Sequence, residues 1–369
     1  MGCLDPQRRI EAGLSGAVPN TMASTAAMCA PTTHRALLPG GLALDYIDLG
    51  RGSTTLLLHG GMGDCHAWQP QLQDFGQAHR VIAYSRRYSS GGPTTPIAGA
   101  HSLDVDVDDL SAFRRSLRLG PAHLVGTSYG ALVALAYALR YPSDVLSLSL
   151  AEPPLHRWCD RTEAGAKLFD QFMDDVWLPA RAAFKSDDAL RAMRLLTDGM
   201  WGRPTFDSLG PTRQAAVMRN ITSMRALTQA HDPFPDLPYA DVAAIAVPTL
   251  LINGQHASAL HRCVVEALKR TIPGAQHCVV GDSGHGSALE NPVAFNASVL
   301  RFLADIACRG GVSVDLAIEK IMHWLHGGES TVVIAAAILL AVSFLIFILR
   351  AYMWFFLNND WAHYCPVKS

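Results

Sequence analysis

From residue 42 onward, apolar residues along the chain fall into two alternating rhythms. Short, nearly continuous apolar runs occupy 42–49 (LALDYIDL), 54–60 (TTLLLHG), 80–85 (RVIAYS), 122–126 (AHLVG), 145–152 (VLSLSLAE), 247–254 (VPTLLING) and 275–281 (AQHCVVG), and each predicts a strand. Between them, as over 107–117 and 131–139, apolar positions recur at the period of a helix with one buried face. Strands that are apolar on both faces and alternate with helices predict an α/β fold, a mostly parallel, doubly wound sheet covered by helices on each side.

Other stretches depart from that rhythm. Between 154 and 246 no strand pattern occurs, only helical segments such as AGAKLFDQFMDDVWLPARAAF and QAAVMRNITSMRALTQA, so this block predicts a helical cap inserted into the domain. Residues 1–40 are rich in Ala, Thr, Pro, Met and Ser without sustained periodicity and predict a disordered leader. They lack the long apolar core of a signal peptide and carry Asp5 and Glu11 where a basic start is expected. VSVDLAIEKIMHWLH gives 309–330 the pattern of an amphipathic linker helix, ended by Gly327 and Gly328. The run TVVIAAAILLAVSFLIFIL at 331–349 has no charge and is long enough to cross a bilayer as a helix, with Arg350, Tyr352, Trp354 and Phe355 suited to the interface beyond it. The expected organisation is a leader (1–40), a large α/β domain (41–308) carrying the cap (154–246), the linker (309–330), one transmembrane segment (331–357) and a short tail (358–369). Without a signal peptide, the large domain is expected on the cytoplasmic side of the membrane.

Composition narrows the partners. Thirty Lys and Arg against 32 Asp and Glu leave a formal net charge of −2, which gives no electrostatic footprint for nucleic acid and favours a small-molecule substrate. Eight cysteines, without CxxC pairs or regular spacing, fit neither a zinc module nor a disulfide framework and read as thiols in a reducing compartment. The sequence offers no metal-ligand cluster, phosphate loop or dinucleotide fingerprint, so no metal and no cofactor is expected.

The candidate chemistry lies where the run at 122–126 meets the helix at 131–139, at Gly126-Thr127-Ser128-Tyr129-Gly130. A serine between glycines, entered from a strand and left by a helix, has the form of a nucleophile elbow. A strained turn lifts the hydroxyl above the sheet, and the helix N-terminus beneath it favours developing negative charge. Taken alone, the same pattern also suits a plain strand-to-helix turn.

Two further blocks bear on that choice. LLLHGGMGDCHAW at 56–68 precedes the serine, and VVGDSGHGSALENPVAFNASVLRFL at 279–303 follows it. In this order the three blocks resemble the α/β-hydrolase superfamily, in its serine-hydrolase branch, over about 42–303: a His-Gly loop after the third strand, the elbow, then the last strand with its His loop and closing helix. The resemblance implies Ser128 as nucleophile, His285 as general base, and the backbone N–H groups of Gly61 and Tyr129 as an oxyanion hole. His59 reads as a stabiliser of its own loop.

The sequence departs from the family at the acid. Much of the family has an Asp shortly after the seventh strand, where this chain has Gln255, His256, Ala257 and Ser258. A variation within the family carries the acid after the sixth strand, and Glu152 there keeps the order Ser, acid, His, with Asp160, Asp241 and Asp282 as substitutes. After the fourth strand, Ser85 and Tyr88 stand where many relatives have the Asp and Gly of Asp-Arg-Arg-Gly. A Ser-His-acid triad implies hydrolysis of a carboxylic ester or related acyl bond through an acyl-enzyme. Phe169, Phe172, Met173, Val176 and Trp177 form an apolar helical face in the cap, part of which could line an acyl pocket; with the apolar span, this suits a hydrophobic or lipid substrate. The missing carboxylate after strand seven keeps a second reading open, a catalytically weak or inactive ligand-binding or signalling protein of the same fold.

Overall fold

Every one of those apolar runs forms a strand in the computed structural model, which describes residues 31–90, 92 and 101–308. The strands are β1 (Thr33–Leu37), β2 (Ala43–Gly50), β3 (Thr54–Leu58), β4 (Arg80–Tyr84), β5 (Ala122–Thr127), β6 (Val145–Ala151), β7 (Thr249–Gly254) and β8 (Gln276–Val280). They make one eight-stranded sheet in the order β1-β2-β4-β3-β5-β6-β7-β8. β1 and β2 pair antiparallel, as do β2 and β4, and every other neighbouring pair is parallel. β1 falls inside the predicted leader. Only Ala36 of its five residues is buried, so an edge strand of this kind leaves almost no apolar pattern to read.

The helices are α1 (Gln69–Gly76), α2 (Leu103–Ser116), α3 (Tyr129–Arg140), α4 (Glu163–Phe172), α5 (Leu178–Lys185), α6 (Ala189–Trp201), α7 (Pro211–Arg219), α8 (Ile221–Thr228), α9 (Tyr239–Ala243), α10 (Ala259–Thr271), α11 (Ser287–Glu290) and α12 over 292–308. The pleat sends alternate strand residues to opposite layers. Leu56, Leu58 and Leu124 join Phe113 of α2, Leu132 of α3 and Val264 of α10 in one core. Leu57, Ala83 and Val125 join Phe75 of α1 and Phe295, Val299 and Phe302 of α12 in the other. Parallel strands covered on both faces leave their carboxyl ends as the open edge for a site.

Over 154–246 the chain holds α4 to α9 and no strand. α4 runs into α5 through a π turn at Met173–Trp177. Pro179 at the start of α5 explains the widening: it lacks an N–H, and in a regular helix its ring would collide with the carbonyl of Asp175. Among the described residues no helix is long and apolar enough to cross a membrane. The linker at 309–330, the span at 331–357, the tail at 358–369 and residues 1–30 of the leader lie outside the described residues.

Candidate active site

Ser128 joins β5 to α3 with φ 49° and ψ −125°, a left-handed conformation that a non-glycine residue adopts only when its surroundings impose it. Its N–H donates to Ala151 O at 2.7 Å, and its carbonyl accepts from the N–H groups of Ala131 and Leu132 at 2.8 and 3.2 Å. The flanking glycines make room. A Cβ on Gly130 would lie 2.1 Å from Leu58 O, and one on Gly126 would lie 2.6 Å from the Ala131 backbone. Neither position can carry a side chain while β3, β5 and α3 meet so closely.

Glu152 follows β6 and is also left-handed, at φ 47°, with its N–H donating to Ile252 O at 3.2 Å. This bend turns the carboxylate under the end of β7. Oε1 accepts from Gly254 N–H at 2.9 Å and from Asn253 Nδ2 at 3.4 Å, while Oε2 lies 2.7 Å from His285 Nδ1. Burial alone would raise the Glu152 pKa, but the hydrogen bond and charge of His285, the nearby His261 and the Gly254 N–H outweigh it and hold the carboxyl below its usual range. With Nδ1–H given to Glu152, Nε2 of His285 is the nitrogen left to accept a proton. The loop carrying His285 is pinned by Glu290, which accepts from Gly284 N–H, Gly286 N–H and Trp201 Nε1 at 3.0, 3.1 and 2.5 Å. Asp160, Asp241 and Asp282 are exposed, and none of them bonds to His285.

The Gly60–Gly61 peptide is clamped from one side. Gly60 O receives His59 Nδ1–H at 2.7 Å, Arg86 Nη2–H at 3.2 Å and Gly63 N–H at 3.2 Å. His59 Nε2 in turn accepts Arg86 N–H at 2.9 Å, which fixes the tautomer. Burial, reinforced by the Arg86 charge, lowers the His59 pKa to about 3, so the ring stays neutral. In a trans peptide the N–H points opposite to the C=O, so the clamp aims Gly61 N–H away from these donors. Neither that amide nor Tyr129 N–H, the first of α3, donates to a backbone acceptor among the described residues. Arg86 is fully buried, lies 4.6 Å above the Tyr129 ring, and is offset by Asp106 Oδ2 at 3.4 Å. His101 Nε2 lies 3.2 Å from the same oxygen. Burial would raise Asp106, but Arg86 and His101 outweigh it and lower its pKa.

Ser128 and His285 line one cavity of about 480 Å³, together with Gly60, Gly61 and Tyr129. Its cap-side wall is largely apolar, from Trp177, Met200, Met224, Leu227 and Phe234, with Arg203, Arg213 and Arg219 also bordering it. Of the apolar face predicted over 169–177, only Trp177 lines the cavity; Phe169 and Phe172 instead pack on Phe234 at 5.7 and 5.9 Å.

Two site residues escape the sequence reading. Arg86 carries no motif that distinguishes it from Arg87. His261 sits in the buried stripe of α10 with Leu260, Val264, Val265 and Leu268, and an imidazole in that stripe is the available signal. Glu152, His261 and His285 bring three ligand-type atoms within 4.8 Å. However, the two imidazole planes are 12° from parallel with centroids 4.1 Å apart, so their in-plane lone pairs run side by side instead of converging on one ion.

Comparison with known proteins bears on the fold. Residues 55–292 match the sequence profile of the alpha/beta hydrolase fold. The chain is similar to carboxylesterase YbfK of Bacillus subtilis (25% identical over 253 residues, 67% of this chain and 79% of that protein) and to epoxide hydrolase 3 of Mus musculus (25% over 285 residues, 72% and 75%). Its fold is similar to the crystal structure of the enol-lactonase from Burkholderia xenovorans LB400, with a TM-score of 0.61 at 20% identity over 73% of this chain and 100% of that one. The profile match spans more than half of the sequence and contains the elbow, the His-Gly loop and the His loop: the chain belongs to the alpha/beta hydrolase fold family.

Proposed function

We propose that this protein is a serine hydrolase acting on a carboxylic ester or related acyl bond with a hydrophobic substituent. Ser128 Oγ attacks the carbonyl carbon as its proton passes to His285 Nε2. The oxyanion accepts from Gly61 and Tyr129 N–H, each such donor contributing about 3 kcal/mol in comparable sites. Collapse expels the leaving group, protonated by His285, and leaves the acyl group on Ser128. Water then repeats the sequence and frees the acid. Glu152 remains a carboxylate throughout and offsets the imidazolium.

The observation that carries this reading is the buried 2.7 Å contact between His285 Nδ1 and Glu152 beside a strained serine on the same cavity. It favours an enzyme over the ligand-binding alternative, because the carboxylate missing after β7 is supplied from β6. The apolar cap wall supports a hydrophobic acyl or alcohol group. Serine at the elbow, instead of the aspartate that epoxide hydrolases use, supports acyl transfer over epoxide opening.

The test is turnover by the full chain of nitrophenyl esters of increasing acyl length. We expect kcat/KM to rise with chain length and Ser128→Ala to lower kcat by about 10⁴-fold or more. Wild-type protein inactive on the whole series, or a Ser128→Ala variant as active as wild type, would contradict the proposal.

The uncharged run at 331–349 supports a single-pass anchor within 331–357, and we propose the cytoplasmic face for the hydrolase domain. Membranes carrying the protein should retain it through carbonate washing, and protease added to sealed cytoplasmic-side-out vesicles should digest the domain. Release by carbonate would contradict the anchor; protection in such vesicles would contradict the orientation.

A further inference from the structure

Behind the His285–Glu152 pair lies a second imidazole that the mechanism above does not use. His261 on α10 is 2% exposed, and its ring stacks on that of His285 at 4.1 Å between centroids. Its Nδ1 lies 3.4 Å from Glu152 Oε2, the oxygen that His285 also holds, and 3.0 Å from Ser258 Oγ. Its Nε2 is buried without a partner. A proton on Nε2 would therefore be an unsatisfied buried donor, whereas a proton on Nδ1 faces both Ser258 and the carboxylate; the Nδ1–H tautomer is the favourable one. Ser258 also accepts the His261 backbone N–H at 3.3 Å, so one hydroxyl fixes both the ring and the first turn of α10.

We infer that His261 is a positioning residue of the triad: its ring holds the plane of His285, and its Nδ1, hydrogen-bonded to Ser258, lies against the carboxylate of Glu152. The inference rests on the serine-hydrolase reading. A glutamate reaching from β6 has one more rotatable bond than an aspartate, so more fixed donors are needed to hold its carboxylate in one orientation. Gly254 N–H and Asn253 Nδ2 hold Oε1, and His261 packs beside Oε2. His285 also meets Trp201, with centroids 5.5 Å apart and planes at 85°, so two rings pack on the imidazole.

The stack must also tolerate the charge that His285 acquires. Burial, then the neighbouring His285 charge, lowers the His261 pKa well below its ordinary value, so its face meets the imidazolium as a neutral ring. Behind it, 5.6 Å away, His156 is packed among Phe169, Phe172 and Phe234, and burial lowers its pKa to about 3. No second positive charge accumulates beneath His285 near neutral pH.

Three substitutions in the full chain separate the contributions. His261→Leu removes ring and donor, His261→Phe keeps a flat ring, and His261→Asn keeps a donor near Nδ1. For His261→Leu we expect kcat to fall between about 10- and 100-fold, the scale of a misplaced catalytic group, with KM within about twofold of wild type. Fluorophosphonate labelling of Ser128 should slow by the same factor, and the Phe and Asn variants should each recover part of both rates. Val264→Ala, which loosens the same helix one turn later, should lower the melting temperature and leave kcat unchanged. Wild-type kcat and labelling in His261→Leu would overturn the inference, as would an equal loss of kcat in Val264→Ala. If His261→Leu does not fold, wild-type kcat in both the Phe and Asn variants overturns it. An active wild-type chain with active variants removes this inference alone, whereas a wild-type chain that neither turns over esters nor labels removes the serine-hydrolase reading beneath it.

Discussion

Two non-glycine residues in left-handed backbone, Ser128 at φ 49° and Glu152 at φ 47°, aim the proposed nucleophile and acid. Each such conformation costs roughly 1–3 kcal/mol, and each is held by a backbone bond to the adjacent strand, to Ala151 O and Ile252 O respectively. Glu152→Gln keeps the size of the side chain but cannot offset an imidazolium, so kcat should fall by about 10³- to 10⁴-fold with little change in KM; steady-state kinetics checks this. Arg86→Met leaves Asp106 as a buried charge without its arginine, and denaturant unfolding should show a loss of about 3–5 kcal/mol. At this scale the sequence is uneven. Ser128 and His285 are legible because local pattern surrounds each of them, and Glu152 is legible from chain order and the empty position after the seventh strand. His261 and Arg86 act through contacts across the fold, such as Arg86 with Ser223, 137 positions away, and no spacing rule records those.

Elements were easier to read than residues, because period survives where contact does not. The apolar runs mark β2 to β8, while β1, with a single buried residue, leaves too little alternation. α2 begins at Leu103, earlier than the apolar spacing from 107 implies, because Ser102 caps it by accepting Val105 N–H and Asp104 and Asp106 fill its first turn. Those polar residues are invisible to a count of apolar positions. The π turn before α5 is likewise marked only by Pro179, and the expected acyl-lining face turns mostly into cap core because Phe234 packs against it. Gly130→Ala tests the closeness of β3 to α3. Its methyl would enter the space of Leu58 O and His59 O, at 2.1 and 2.5 Å, and thermal melting should show a loss of at least about 3 kcal/mol or failure to fold.

For the whole molecule, the sheet order places β5, β6, β7 and β8 side by side, so residues far apart in the chain converge at their carboxyl ends. The same burial that organises the site keeps several histidines uncharged. Burial lowers His59 and His156 to about 3 and His123 to about 4, and lowers His261 well below its ordinary value. Because the folded values are depressed, the unfolded chain takes up protons first as pH falls. Their contribution is fully present above the ordinary value of 6.5 and is lost as pH drops toward 4, a change of several kcal/mol in total at about 1.4 kcal/mol per pH unit per group. Glu152, also depressed, adds to the loss at lower pH still. Calorimetry should find a nearly flat melting temperature from about pH 7 to 8 and a steep fall between about pH 6.5 and 4.5; an unchanged value at pH 5 would refute this. The proposed chemistry requires an activated serine assembled from distant parts of one chain. The most direct measurement treats the folded protein with a fluorophosphonate and locates the adduct by mass spectrometry. A single adduct on Ser128, slowed by Glu152→Gln, is the predicted result; a folded wild-type protein that stays unmodified, or is modified only elsewhere, would contradict it.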